Sequence, residues 1–180
     1  MSNAKPTIET FIAADKIAAR VAELGAEISK HYETAVAAGE ELVIVVVLKG
    51  SFVFAADLVR HIDVDCAVDF LGLRSYEGTS STGVVQITSD LTKSVDGRHV
   101  LVVEDIVDTG LTMQYLLENL ETRKPKSVKV ASLLHKPART AVEVPIHFLG
   151  FTIEDKFVIG YGLDFDQKYR NLPFLGLVVQ

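Results

Sequence analysis

Residues 100–112 read VLVVEDIVDTGLT. Four apolar residues end at Val103, and Glu104, Asp105 and Asp108 then place three carboxylates within five positions. Thr109, Gly110 and Thr112 follow, and from Leu111 an amphipathic run carries Leu111, Tyr115, Leu116 and Leu120 on one side. An apolar β-branched run, a polar turn and a helix-period run are the parts of a strand–loop–helix unit. The reading of this stretch as a buried strand over 99–103, a loop, and a helix over 111–121 decides the fold class.

The flanking segments repeat the pattern. Ile17, Val21, Leu24, Ile28, Tyr32 and Ala35 recur at spacings of three and four, which predicts a helix with Asp15 as its N-cap and Gly39 as its stop. Leu42 to Leu48 reads as a buried strand, Phe52 to Arg60 as a helix and Cys66 to Leu73 as a second strand. A weak strand begins at Ile87, and Ser127 to Leu134 is a strand closed by Pro137. Short strand-like pieces lie at 147–151, 157–160 and 175–179. Alternating strands and helices predict an α/β fold with a mostly parallel twisted sheet flanked by helices. Strands apolar on both faces predict helices on both sides. The irregular last third predicts a small C-terminal extension, or hood, on a single domain spanning residues 1–180.

Composition excludes several classes. The 180 residues are 48% hydrophobic with a net charge of −6, which argues against nucleic acid as a partner. No apolar run is long enough to span a bilayer, and no signal peptide is evident, so membrane association is not expected. The single cysteine, Cys66, forbids an internal disulfide and fits a reducing, cytoplasmic setting. It lies in the apolar run 64–71, where a small buried core residue is expected rather than a nucleophile.

The charged loop poses a conflict that points to its chemistry. A helix start offers free N–H groups and a positive dipole end, which favour a phosphate at Thr109, Gly110 and Thr112. Three carboxylates beside that phosphate would repel it strongly in a dry site. The conflict resolves if the carboxylates face ribose hydroxyls, Mg²⁺ or a proton to be moved. A sugar phosphate with a metal-bound leaving group meets all of these demands. Other phosphate motifs are absent: there is no GxxxxGK[ST], and GYGLDF at 160–165 lacks the third spaced glycine of a dinucleotide fingerprint.

The stretch VVEDIVDTGLT resembles the phosphoribosyl-pyrophosphate motif of the type I phosphoribosyltransferases. LKGSFVFAADL, RSYEGTSSTG, SLLHKP and DKFVIGYGLDFDQKYRNLP are similar to further stretches of its hypoxanthine/guanine branch, in the family's order from about residue 42 onward. The resemblance implies salvage of a 6-oxopurine: phosphoribosyl pyrophosphate and the base in, a nucleoside monophosphate and pyrophosphate out, with Mg²⁺ as cofactor. It implies a homodimer or homotetramer.

It also implies residue roles. Asp108 matches the general base acting at N7 of the purine, although Asp alone would read as a helix N-cap. The sugar pyrophosphate would lie along Glu104, Asp105, Ile106, Val107, Thr109, Gly110, Leu111 and Thr112, with Glu104 and Asp105 on the ribose hydroxyls or Mg²⁺. Leu111 departs from relatives that are polar there. Lys49 and Gly50 match a pyrophosphate loop in which the family often carries a cis peptide, and Arg170 a second pyrophosphate contact. Lys136 matches the donor to O6 of the purine, Phe157 the aromatic that stacks on the base and Val158 the backbone that reads its edge. Asp164, grouped with the purine-binding residues, matches an acid that holds a second Mg²⁺ on the pyrophosphate side. Ser75 and Tyr76 begin what resembles a flexible lid over about 74–88. Lys156, beside Phe157, varies among relatives. Two other readings of the loop are a regulator that binds the sugar pyrophosphate and nucleic acid, and a phospho-receiver module accepting phosphate on Asp105. Net acidity and the purine-pocket stretch speak against the first. The Thr-Gly-x-Thr element speaks against the second.

Overall fold

The structure, a computed structural model, describes residues 7–76 and 84–179. Six strands form the main sheet: β2 (Leu42–Leu48), β3 (Cys66–Tyr76), β4 (Val84–Ser89), β5 (His99–Val107), β6 (Ser127–His135) and β7 (Phe148–Thr152), in the order β4-β3-β2-β5-β6-β7. All pairings are parallel except β3 with β4, a hairpin at one edge. Helices α1 (Ala14–Ala37) and α2 (Phe52–Val59) cover one face and α3 (Leu111–Glu121) the other. This is the expected α/β fold. β2 and β5 are central, and Ile44, Val46, Leu101 and Val103 face one core while Val43, Val45, Val100 and Val102 face the other. Burial on both faces is why these runs are continuously apolar.

The hood is a three-stranded sheet in the order β1-β9-β8, made by β1 (Thr7–Ile12), β8 (Val158–Ile159) and β9 (Leu175–Val179). It is therefore not a C-terminal extension alone. β1, absent from the sequence reading, pairs antiparallel with β9 and supplies one edge.

Several boundaries move for physical reasons. Ala13, not Asp15, is the N-cap of α1, and Asp15 lies in the first turn, where its charge suits the helix dipole. β4 begins at Val84 rather than Ile87, because the hairpin pairs it with Tyr76. β5 runs through its acidic residues to Val107 because β6 continues beside it, pairing Glu104 with Ser132 and Val107 with His135. Glu104 and Asp105 thus stand within the end of the strand, and Asp108 lies one residue beyond it. β3 is not covered on both faces: Val68 and Phe70 are 45% and 47% exposed. Cys66 is half-buried against the core rather than buried, and burial, with the charge of Asp65, raises its thiol pKa, which disfavours a nucleophile. No helix among the described residues is long and apolar enough to cross a membrane.

Candidate active site

The site lies beyond the C-terminal ends of β2, β5 and β6, where open α/β sheets bind ligands. A cavity of about 130 Å³ is lined by Glu104, Ile106, Val107, Asp108, Thr109, Gly110, Thr112 and Met113. Its floor is the first turn of α3, which holds no acidic residue. An α-helix leaves its first N–H groups without intrahelical partners, so this turn suits an anion. Gly110 caps the helix at φ +83, and a Cβ there would meet the Val142 carbonyl oxygen at 2.0 Å. The Thr109 carbonyl accepts from the N–H groups of Ala141 and Val142, both at 3.0 Å. The helix-capping loop is thereby stapled to the segment after β6. Leu111 points outward, 44% exposed, so this departure from the motif leaves the loop's backbone donors in place.

Glu104 and Asp105 form the acidic wall. The Asp105 N–H donates to Glu104 Oε1 at 3.2 Å, and the Ile106 N–H to Asp105 Oδ1 at 2.8 Å. Burial, foremost, and the neighbouring Asp105 charge push the Glu104 carboxyl well above the usual range. Burial raises Asp105 too, against the bond from Ile106 and the nearby charge of Arg170. Two neighbouring carboxyls, both raised in pKa by burial, form a donor set that a divalent cation would relieve. Mg²⁺ is held by one or two carboxylates plus substrate phosphates, so the pair fits. Among the described residues no cluster of three or more His, Cys, Asp or Glu is arranged for a metal.

The loop after β2 closes on this wall. The peptide between Leu48 and Lys49 is cis, one bond earlier than the Lys49–Gly50 position the resemblance implied. A Cβ on Gly50 would fall 1.5 Å from Asp105 Oδ2, so only glycine admits the carboxylate in this position. From the other side, a Cβ on Gly162 would meet the Gly50 carbonyl oxygen at 2.1 Å. Arg170 Nη1 donates to the Gly162 carbonyl at 2.8 Å, and its Nη2 lies 2.7 Å from Asp164 Oδ1. Asp164 Oδ2 accepts from the Gln167 N–H at 2.8 Å. The loops after β2 and β8 thus meet the end of β5 at Gly50, Gly162 and Asp105. The Tyr161 hydroxyl anchors the last of them by donating to Asp57 Oδ2 at 2.6 Å.

The remaining residues stand on the β6 side. Lys136 is 6% exposed, and its N–H donates to the Val107 carbonyl at 3.0 Å. Its Nζ lies 3.8 Å from Asp155 Oδ1. Phe157 is 59% exposed, edge-on to Phe165 at 5.8 Å between ring centroids, so one large aromatic face is open. Val158 is buried in β8. Lys156 is directed elsewhere, 3.0 Å from Glu154 and 5.4 Å above the Phe11 ring of β1. Ser75 and Tyr76 end β3, paired with Val85 and Val84, and residues 77–83 of the expected lid lie outside the described residues.

Sequence reasoning missed Arg139. Its Nε lies 3.1 Å from Asp108 Oδ1. Nothing in the local pattern marks it, because its partner is brought to it by the pairing of β5 with β6.

This geometry has counterparts among known proteins. The phosphoribosyl transferase domain family matches residues 9–166. A hypoxanthine phosphoribosyltransferase of Salmonella typhimurium is 47% identical over 97% of each chain. The chain belongs to the hypoxanthine(-guanine) phosphoribosyltransferase family. The hypoxanthine-guanine-xanthine phosphoribosyltransferase of Tritrichomonas foetus is 47% identical over 91% of this chain and 87% of its own. The crystal structure of a hypoxanthine-guanine phosphoribosyltransferase from Bacillus anthracis matches with a TM-score of 0.89 and 43% identity, covering 97% of this chain and all of that one. For this phosphoribosyltransferase, the shared fold extends to the hood, since the match runs over nearly the whole chain.

Proposed function

We propose that the protein salvages purines by transferring the 5-phosphoribosyl group of phosphoribosyl pyrophosphate to N9 of hypoxanthine, and of guanine, with release of pyrophosphate and formation of IMP or GMP. The observation that carries this reading is the meeting of Gly50, Asp105 and Gly162, with the helix-capping loop beside it. It separates an anion-binding turn from an acidic wall within one site, as a sugar carrying phosphate at one end and pyrophosphate at the other requires.

Thr109, Gly110, Thr112 and the first turn of α3 hold the 5-phosphate, with Ile106, Val107 and Leu111 shaping the loop. Glu104 and Asp105 hold the ribose hydroxyls. Lys49, Gly50 and Arg170 face the pyrophosphate. Phe157 stacks on the purine, Val158 reads its edge by backbone, and Lys136 donates to O6. A buried Lys donor cannot pair with the exocyclic amino group of adenine, and a buried donor left unpaired costs about 1–3 kcal/mol. That selects 6-oxopurines. As N9 attacks C1 and the bond to pyrophosphate breaks, positive charge grows on the sugar and the carboxylates beside it stabilise that charge. Asp108 takes the proton at N7 as the base is alkylated. Glu104 and Asp105 would hold Mg²⁺ together with the substrate, and the ion would supply positive charge for the departing pyrophosphate. Asp164, a candidate for a second Mg²⁺, would exchange its partner Arg170 to bind it.

The exposed Val68 and Phe70 extend an apolar sheet face past α2, which supports burial against a second copy in a homodimer or larger assembly. The acidic net charge leaves nucleic acid out of the reading, and the lone thiol suits the cytoplasm.

The test is nucleotide formation from phosphoribosyl pyrophosphate and Mg²⁺ with hypoxanthine, guanine, xanthine, adenine or no base. Turnover with 6-oxopurines and not adenine is expected. Binding of the sugar pyrophosphate without turnover of any base would refute the enzyme.

A further inference from the structure

We propose that Arg139 is the positioning residue of the general base Asp108, fixing which carboxylate oxygen faces the purine. The inference rests on the reading of Asp108 as the group that handles the N7 proton. Asp108 Oδ1 is buried and has no hydrogen-bond partner among the described residues. The Arg139 Nε lies 3.1 Å away, outside hydrogen-bond geometry, so the oxygen meets a charge rather than a directed bond. The Asp108 side chain as a whole is 32% exposed. With Oδ1 covered, Oδ2 is the oxygen left to meet a ligand.

The guanidinium is braced in turn. Arg139 Nη1 lies 3.9 Å from Asp155 Oδ1, and the same oxygen lies 3.8 Å from Lys136 Nζ. Asp108, Arg139, Asp155 and Lys136 therefore form a chain of alternating charge. It joins the group assigned to N7 with the group assigned to O6. The backbone fixes the spacing: Arg139 ends the 3-10 turn Pro137–Arg139 and donates its N–H to the Lys136 carbonyl at 3.1 Å. On either side of that turn, Lys136 is bonded to Val107, and Ala141 and Val142 to Thr109, the two neighbours of Asp108. Arg139 is itself 48% exposed and Asp155 54%, and an ion pair between exposed groups is worth little. What sets the Asp108 contact apart is that the cation's partner is a buried oxygen, and removing the cation leaves that oxygen alone, which favours a turn of the carboxyl group away from the base.

The experiment compares the wild type with Arg139→Gln and Arg139→Lys under turnover with hypoxanthine, phosphoribosyl pyrophosphate and Mg²⁺. A positioned general base contributes on the order of 10²–10⁴-fold in rate, and losing part of that predicts a kcat for Arg139→Gln lower by roughly ten-fold or more. KM for phosphoribosyl pyrophosphate stays at the wild-type value, and Arg139→Lys recovers part of kcat. A purely structural role would lower the melting temperature and affect kcat and KM together, with no recovery in Arg139→Lys, and such a result overturns the inference. So does a variant indistinguishable from an active wild type, which leaves the proposed function standing. An inactive wild type overturns the function itself, and the inference with it.

Discussion

Replacing Gly50 with alanine should separate binding of the sugar pyrophosphate from stability of the fold. The new Cβ would lie 1.5 Å from Asp105 Oδ2 and 2.6 Å from its Cγ, yet 3.5 Å from its Cβ. Only the far end of the Asp105 side chain must move. The backbone at Gly50 is outside the left-handed region, so alanine brings no dihedral strain of its own. The carboxylate can escape by turning about its side-chain torsions, at the expense of the 2.8 Å bond from the Ile106 N–H. A hydrogen bond to a charged group contributes about 1.5–3 kcal/mol, and the same range applies to the ribose contact that a displaced Asp105 no longer makes. Since 1.4 kcal/mol is about ten-fold, kcat/KM for phosphoribosyl pyrophosphate should fall roughly 10- to 150-fold. Steady-state kinetics with saturating hypoxanthine would measure it, beside a thermal melt. A melt close to wild type with the expected loss would support the divided site. Wild-type kcat/KM in a folded Gly50→Ala protein would refute the claim that Gly50 exists to admit Asp105.

Three further outcomes follow from the same geometry. Gly110→Ala places a side chain at φ +83 and 2.0 Å from the Val142 carbonyl oxygen; a left-handed residue costs about 1–2 kcal/mol before that contact is counted, so the melting temperature should fall by at least roughly 2–8 °C, read by calorimetry. Lys136→Met keeps the bulk of a buried chain but removes the donor, so KM for hypoxanthine should rise by about ten-fold or more while KM for phosphoribosyl pyrophosphate holds, and preference over adenine should shrink. The Glu104 carboxyl is raised in the folded state mainly by burial, so the native protein binds its proton more tightly than the unfolded chain. Stability then falls as pH rises from the ordinary carboxylate value of 4.5 up to the raised one, and stays lower above it. Glu104→Gln should therefore melt higher than wild type at pH 8, lose that advantage below about pH 4, and turn over more slowly; equal pH dependence in the two proteins would show that Glu104 does not carry the effect.

Much of this fold is written in local pattern. β2 over Leu42–Leu48 and α3 over Leu111–Glu121 have the predicted bounds because each is a single uninterrupted period closed by Gly or a polar turn. β1 was illegible because TIETFI alternates weakly and its partner β9 lies at the other end of the sequence. The extension of β5 through Glu104 and Asp105 was hidden because charge normally marks the end of a buried strand, and here the length of β6 overrides it. For the site, the motif named Asp108, Gly50 and Gly110. It could not say why the glycines are glycines, since the atoms they avoid belong to Asp105 and Val142. Asp155 and Arg139 escaped for the same reason: ion pairs between positions 31 and 16 residues apart leave no mark on the local pattern.

The hood's strand order carries a consequence for the timing of synthesis. β9 lies between β1 and β8, so neither outer strand has a partner until Leu175–Val179 has been made. The phosphate turn and acidic wall belong to β2, β5 and α3, whose neighbours are all translated earlier. On the ribosome, a sugar-phosphate half-site can therefore assemble first, while Phe157 and Val158 wait for the last strand. A nascent chain of this protein would gain affinity for phosphoribosyl pyrophosphate before it could hold a purine.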